Sequence, residues 1–140
     1  MGDMLSAADN LKRAIRISDT YAPSLVAMGR LLTEIEHPEK SYRYFKTAYR
    51  LEPENLEANT GLGQYYYDKF MPDEAIKYFK NALQIEPNQA SLHFNIANAY
   101  FLAEDYQLAV KHYRSAVQLG YNKPETLYNL GNALCKQEEF

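Results

Sequence analysis

The chain has no tryptophan and a single cysteine, Cys135, among its 140 residues. One thiol cannot close an internal disulfide, and no Asn-x-Ser/Thr acceptor occurs. Both facts point to a reducing intracellular compartment such as the cytoplasm. Six glycines and six prolines are too few for a collagen, linker or low-complexity chain. No apolar run approaches the length that spans a bilayer, and the N-terminus lacks a basic-then-apolar signal, so membrane insertion is not expected. The opening Met1-Gly2-Asp3-Met4-Leu5-Ser6 fits the loose myristoylation pattern, but the repeat register below makes it a helix start. Fifteen Lys and Arg against 18 Asp and Glu leave a net charge of -3 with no basic block. No nucleic-acid partner is expected from such a balance.

Motifs that carry catalysis are missing as well. There is no glycine-rich phosphate loop and no Gly-x-Ser-x-Gly. The three histidines, His37, His93 and His112, are scattered without metal-ligand spacing. His93 reads as a packed side chain, His37 as a turn residue and His112 as part of an outer helix face. The acidic pairs Asp73-Glu74, Glu104-Asp105 and Glu138-Glu139 are all expected at or just before helix starts. There the positive end of the helix dipole accounts for them better than acid–base chemistry does. No cofactor, no metal and no enzymatic activity is expected.

What the chain does have is tyrosine, thirteen of them, recurring in similar settings. Pro53 and Pro87 stand 34 residues apart and close similar phrases, Ala48–Pro53 and Ala82–Pro87. The same step links Gly29, Gly63, Ala97 and Gly131, then Met28, Leu62, Ile96 and Leu130. It also links Ala7, Ser41, Ala75 and Ala109, then Leu11, Phe45, Phe79 and Tyr113. Within a unit the apolar residues recur every three or four positions, as in Leu92, Ile96 and Tyr100, which is helical spacing. Pro38 and Pro72 suit the first position of a new helix, where a missing N–H costs nothing. Each unit is therefore helix, turn, helix. Helices are expected near 5–17, 23–35, 39–51, 56–69, 73–85, 90–103, 107–119 and 125–137.

These columns resemble the tetratricopeptide repeat, a 34-residue helix–turn–helix with large, Leu, Gly, Tyr, Ala, aromatic, Ala and Pro preferences. The unit from Leu56 supplies Asn59, Leu62, Gly63, Tyr66, Ala75, Phe79, Ala82 and Pro87. Departures are local: Pro38 and Pro72 replace the usual aromatic, and Tyr121 replaces proline behind a Gly120 cap. The resemblance implies an all-α, right-handed solenoid of about eight antiparallel helices in a single array. Full repeats would run 22–55, 56–89 and 90–123. Residues 1–21 would be a lone second helix and 124–140 a lone first helix, with Phe140 in the turn column. A fragment of a longer array is the expectation, with both open ends inviting end-to-end self-association.

The resemblance also implies a function: a non-catalytic scaffold that binds a partner peptide or helix in its concave groove. The alternative is the substrate-recognition arm of a larger enzyme, such as a glycosyltransferase-type repeat protein. The groove stripe contains Arg30, Gln64 and Tyr67 in the amino half, and Phe94, Asn98 and Phe101 in the third unit. The last helix adds Tyr128 and Asn132, with Asn95 and Asn129 at the margin. Asn95 with Asn129, and Asn98 with Asn132, form 34-spaced pairs, similar to the asparagine ladders of O-GlcNAc transferase arrays. An amide donates and accepts at once and can hold a peptide backbone whatever its side chains. Capture of an acidic C-terminal tail by a chaperone-type carboxylate clamp is not expected. One register offers Val26, Arg30, Gly61, Ser91 and Asn95, the next Thr60, Gln64, Asn95, Glu125 and Asn129, and neither carries the lysine pair.

Overall fold

The computed structural model describes residues 2–139. The acylation reading of Met1 and the turn placement of Phe140 therefore lie outside the described residues. Eight helices follow one another among the described residues: α1 (Gly2–Ile17), α2 (Ala22–Glu34), α3 (Pro38–Leu51), α4 (Leu56–Asp68), α5 (Pro72–Ile85), α6 (Ala90–Leu102), α7 (Tyr106–Gln118) and α8 (Pro124–Glu139). The six inner helices begin and end within one residue of the expected bounds. Pro38, Pro72 and Pro124 each open a helix. Glu138-Glu139, expected at a helix start, instead closes α8, which runs on to Glu139. Asn55 caps α4 by accepting from Ala58 N at 2.9 Å, and Asp105 caps α7 by accepting from Leu108 N at 3.2 Å.

The turns inside each unit carry a feature that the sequence does not announce. Glu36, Phe70 and Glu104, 34 residues apart, sit in the left-handed region at φ 59°, 58° and 61°. Each is followed by a reaching hydrogen bond, from His37 N to Leu32 O, Met71 N to Tyr66 O and Asp105 N to Tyr100 O. That is the Schellman closure of a helix end, usually built on glycine. Gly120, the one glycine anticipated as a cap, does the same at φ 95°, with Tyr121 N bonded to Ala116 O.

Small columns set the helix spacing. The Phe45 ring lies between Gly29 and Gly61, and a methyl group on either would meet it at 2.8 and 2.5 Å. A methyl on Gly63 would stand 2.6 Å from Phe79. Ala48, Ala75, Ala82, Ala109 and Ala116 are fully buried. The backbones of the first helices approach one another, α2 with α4, α4 with α6 and α6 with α8, whereas α3 and α5, both second helices, meet through long side chains such as Tyr49 and Lys46 on Tyr78. The first helices thus form the tighter, inner layer of an all-α solenoid. Large rings fill the wider outer spaces. Tyr66 stacks on Tyr78 with centroids 5.7 Å apart, Tyr49 meets Tyr78 edge-on at 5.3 Å, and Tyr42 lies 4.4 Å from Tyr65.

Candidate functional site

The inner layer opens a cleft of about 210 Å³ towards its carboxyl end, between α4, α6 and α8. It is lined by Tyr67, Asn98, Phe101, Asn129 and Asn132, all from the expected stripe and its margin, and by Tyr113 from α7. Asn98 is the hub. Its Oδ1 accepts from the Tyr113 hydroxyl and, at 3.3 Å, from Asn129 Nδ2. Burial holds the Tyr113 hydroxyl well above its ordinary pKa, so it stays a donor. Burial raises Tyr67 in the same way, with help from the carboxylates of Asp68 and Glu125. Asn132 lines the cleft and makes no side-chain hydrogen bond among the described residues.

Other residues of the expected site fall elsewhere. Phe94, expected to face the groove, is buried instead: it packs 5.2 Å from the Tyr121 ring and 6.0 Å from Tyr113. Its stripe is covered because the chain leaving α7 folds Tyr121 back over α6. Tyr128 is 70% exposed and outside the cleft. Asn95 is half-buried without lining it. Arg30 pairs with Glu57 at 3.4 Å on the surface, and Gln64 Nε2 donates to Asp68 at 2.9 Å, so both are tied to neighbours in the amino half. The cross-link that forms is Asn98 to Asn129, not either of the 34-spaced pairs, because residues three short of a full period lie diagonally across the two helices.

Sequence reasoning missed two contributors. Tyr113 occupies the packed aromatic column, and its length alone carries a hydroxyl from the core to the cleft floor. The histidines, read as scattered, include one tight pair: His93 Nδ1 and His112 Nδ1 lie 3.2 Å apart with rings stacked at 5.4 Å. His93 Nε2 is 2.8 Å from Pro87 O, which can only accept. His93 therefore donates through Nε2 and accepts from His112 through Nδ1. Asn59, one period earlier, does the same job: Nδ2 donates to Pro53 O at 2.9 Å and Oδ1 accepts from Asn81. The pair is thus a packing clasp between a helix and the preceding turn. His112 is accordingly half-buried on α7, not free on an outer face. Burial and the neighbouring His93 lower its pKa to about 4.

Comparison with known proteins agrees with this architecture. The tetratricopeptide repeat family profile matches residues 54–121. No curated protein matches by sequence. Among solved structures, a MamA protein superposes with a TM-score of 0.87 at 17% identity, covering 98% of this chain and 75% of that one. MamA 41-end from Desulfovibrio magneticus RS-1 gives 0.88 at 18% identity, with 98% and 77% covered. YrrB, titled a TPR protein with an unusual peptide-binding site, gives 0.85 at 24% identity, with 93% and 67% covered. At such identities the likeness speaks to fold alone. No helix among the described residues is long and apolar enough to cross a membrane. Stacked helix pairs of this kind form a general scaffold for protein interaction; residues 54–121 are a stretch of tetratricopeptide repeats, and the whole chain has the fold of such an array.

Proposed function

We propose that this scaffold holds the backbone of an extended or helical partner peptide in the cleft between α4, α6 and α8. The observation that carries the reading is the convergence of three asparagine amides and two aromatic rings, Tyr67 and Phe101, in one concave space. Amides fix a main chain without regard to sequence, and the rings receive one apolar side chain. The exposed Cys135 thiol supports a reducing setting such as the cytoplasm. Tyr21 and Phe70, exposed aromatics of the amino half, do not line this cleft.

Selection of peptides from a display library on the immobilised chain, followed by calorimetry, tests the proposal. Asn132→Ala is the clean variant, because that amide has no partner to strand. It should weaken a selected peptide by about 1–3 kcal/mol with unchanged stability. Asn98→Ala should weaken binding and stability together, since it leaves the Tyr113 hydroxyl unpaired. Methylation of the peptide's backbone nitrogens should weaken binding as Asn132→Ala does. Peptides that bind Asn132→Ala and Phe101→Ala as tightly as the parent chain would rule the cleft out.

A further inference from the structure

A second concavity lies at the other end of the array, between α1 and α3, with α2 as its floor. It measures about 600 Å³ and its exposed lining is mainly apolar. Met28, Leu31 and Leu32 form the floor, and Leu5, Ala8 and Tyr44 the walls. Its rim carries Lys12, Lys40 and Arg43, and no carboxylate lines it among the described residues. None of the three cations is in a salt bridge among the described residues.

The repeat itself shows what this groove is missing. One period later the corresponding space, between α3 and α5 over α4, is full. Where α1 has Ala8, α3 has Tyr42, whose ring packs on Tyr65 and whose hydroxyl lies 3.1 Å from that of Tyr66. Where α1 has Leu5, α3 has Glu39, which accepts from Tyr65 at 2.8 Å and pairs with Lys69 at 2.6 Å. On the floor, Leu31 and Leu32 replace Tyr65 and Tyr66. On the far wall, Lys40 replaces Glu74. The first interface therefore lacks three aromatic rings and two carboxylates that the second supplies to itself; two leucines stand in for two of the rings, the place of Tyr42 is left to Ala8, and a cation replaces one carboxylate.

We infer that this groove docks an acidic amphipathic helix of a partner protein, which inserts an aromatic or leucine anchor over Met28 and Leu32 and sets its carboxylates against Lys12, Lys40 and Arg43. Apolar walls with a one-signed rim fit that chemistry: burial supplies affinity, and charge supplies orientation and selects against basic helices. The surface is independent of the amide cleft, with which it shares no lining residue.

The test uses a short synthetic helical peptide with Tyr and Leu on one face and Glu on its flanks, read by fluorescence anisotropy against the full chain. A control peptide carries Lys for Glu, and another carries Ala for Tyr. Saturable binding of the acidic peptide below about 1 mM, with both controls weaker by about tenfold or more, is the expected result. Ala8→Tyr installs on α1 the residue that α3 already carries in the same column. It should abolish binding while leaving the helical circular dichroism and melting temperature intact or improved. Lys40→Glu combined with Arg43→Glu, an exposed surface change, should reverse the preference in favour of the Lys-flanked peptide. Asn132→Ala should leave the binding untouched, which keeps this result separate from the fate of the cleft. Absence of saturable binding, equal binding of acidic and basic peptides, or unchanged binding by Ala8→Tyr would each overturn the inference. Displacement of the acidic peptide by dodecanoate at equal concentration would overturn it in favour of a fatty-acid site.

Discussion

Gly63 and Gly131 occupy the same column of the repeat, yet alanine should act on them with opposite sign. In a helix interior, glycine to alanine gains about 0.5–1 kcal/mol from backbone entropy. At Gly131 the added methyl meets nothing within 4 Å, so that gain should appear undiminished. At Gly63 it would sit 2.6 Å from Phe79 Cδ1 and Cε1, about 1 Å inside ordinary carbon contact. Phe79 is 1% exposed and packed in the cluster that holds Ala75, Ile96 and Ala97, so its ring has no room to yield. Overpacking of this kind costs about 1–3 kcal/mol, which outweighs the entropic gain. The two variants should therefore differ by about 2 kcal/mol, or about 1 M in urea midpoint at a slope near 2 kcal/mol per M. Gly63→Leu should lose a few kcal/mol, and a change at outward Lys77 should lose little. Phe79→Leu in the Gly63→Ala background should recover part of the loss. Midpoints that move in the same direction for Gly63→Ala and Gly131→Ala would refute the packing argument and the register beneath it.

Four further outcomes follow from other parts of the structure. Phe70 holds φ 58° with 78% of its surface exposed, so Phe70→Gly should raise stability by about 1 kcal/mol, measured by thermal melting. Thr126 is fully buried and its hydroxyl has no partner among the described residues, so Thr126→Val should stabilise by about 1 kcal/mol, and a loss would reveal a hidden acceptor. Folding lowers the pKa of His112 from 6.5 to about 4 and so favours its neutral form; its contribution is whole above pH 6.5 and is lost as pH falls towards 4. Because the ring still meets solvent, the slope should stay below about 1.4 kcal/mol per pH unit, and His112→Tyr, the residue of the preceding unit's column, should flatten it in denaturation series. Leu127 and Tyr128 are 52% and 70% exposed on α8, and Leu5 is 67% exposed on α1, so light scattering of this chain should show mass rising with concentration. A strict monomer whose α8 resists hydrogen exchange as well as α5 would refute that.

The helices were legible because each unit punctuates itself. Pro38, Pro72 and Pro124 each suit a helix start, and the glycine–alanine column marks a close crossing at Gly29 and Gly63, though not at Gly131. The three left-handed turn residues were not legible, since Glu36, Phe70 and Glu104 carry no glycine signal. Their backbone is dictated by the demand that α3, α5 and α7 fold back at one fixed angle, a tertiary constraint that overrides local preference. The site was legible in part for a related reason. Helical spacing assigns a side chain to a stripe, and it placed Tyr67, Asn98, Phe101 and Asn132 together. It does not say what covers the stripe, and so it left Phe94 exposed when Tyr121, arriving from a turn, closes over it. Nor does it reach across helices, which is why the His93–His112 clasp and the Tyr113 hydroxyl needed coordinates.

The period that makes the fold also exposes where the units differ, and those differences carry the surface chemistry. A column constrains what must pack, so Ala48, Ala82 and Ala116 vary little. It leaves free what faces the space between neighbouring second helices. There the chain has Ala8, then Tyr42, then Ile76 and Val110, and each choice fixes whether the space is open, ring-filled or aliphatic. The same freedom on the inner layer sets Arg30 and Gln64 against Asn98 and Asn132. One scaffold can thus present an apolar, cation-rimmed groove at one end and an amide-lined cleft at the other. Rigid stacking of identical crossings keeps the two apart, so a change at either leaves the other intact.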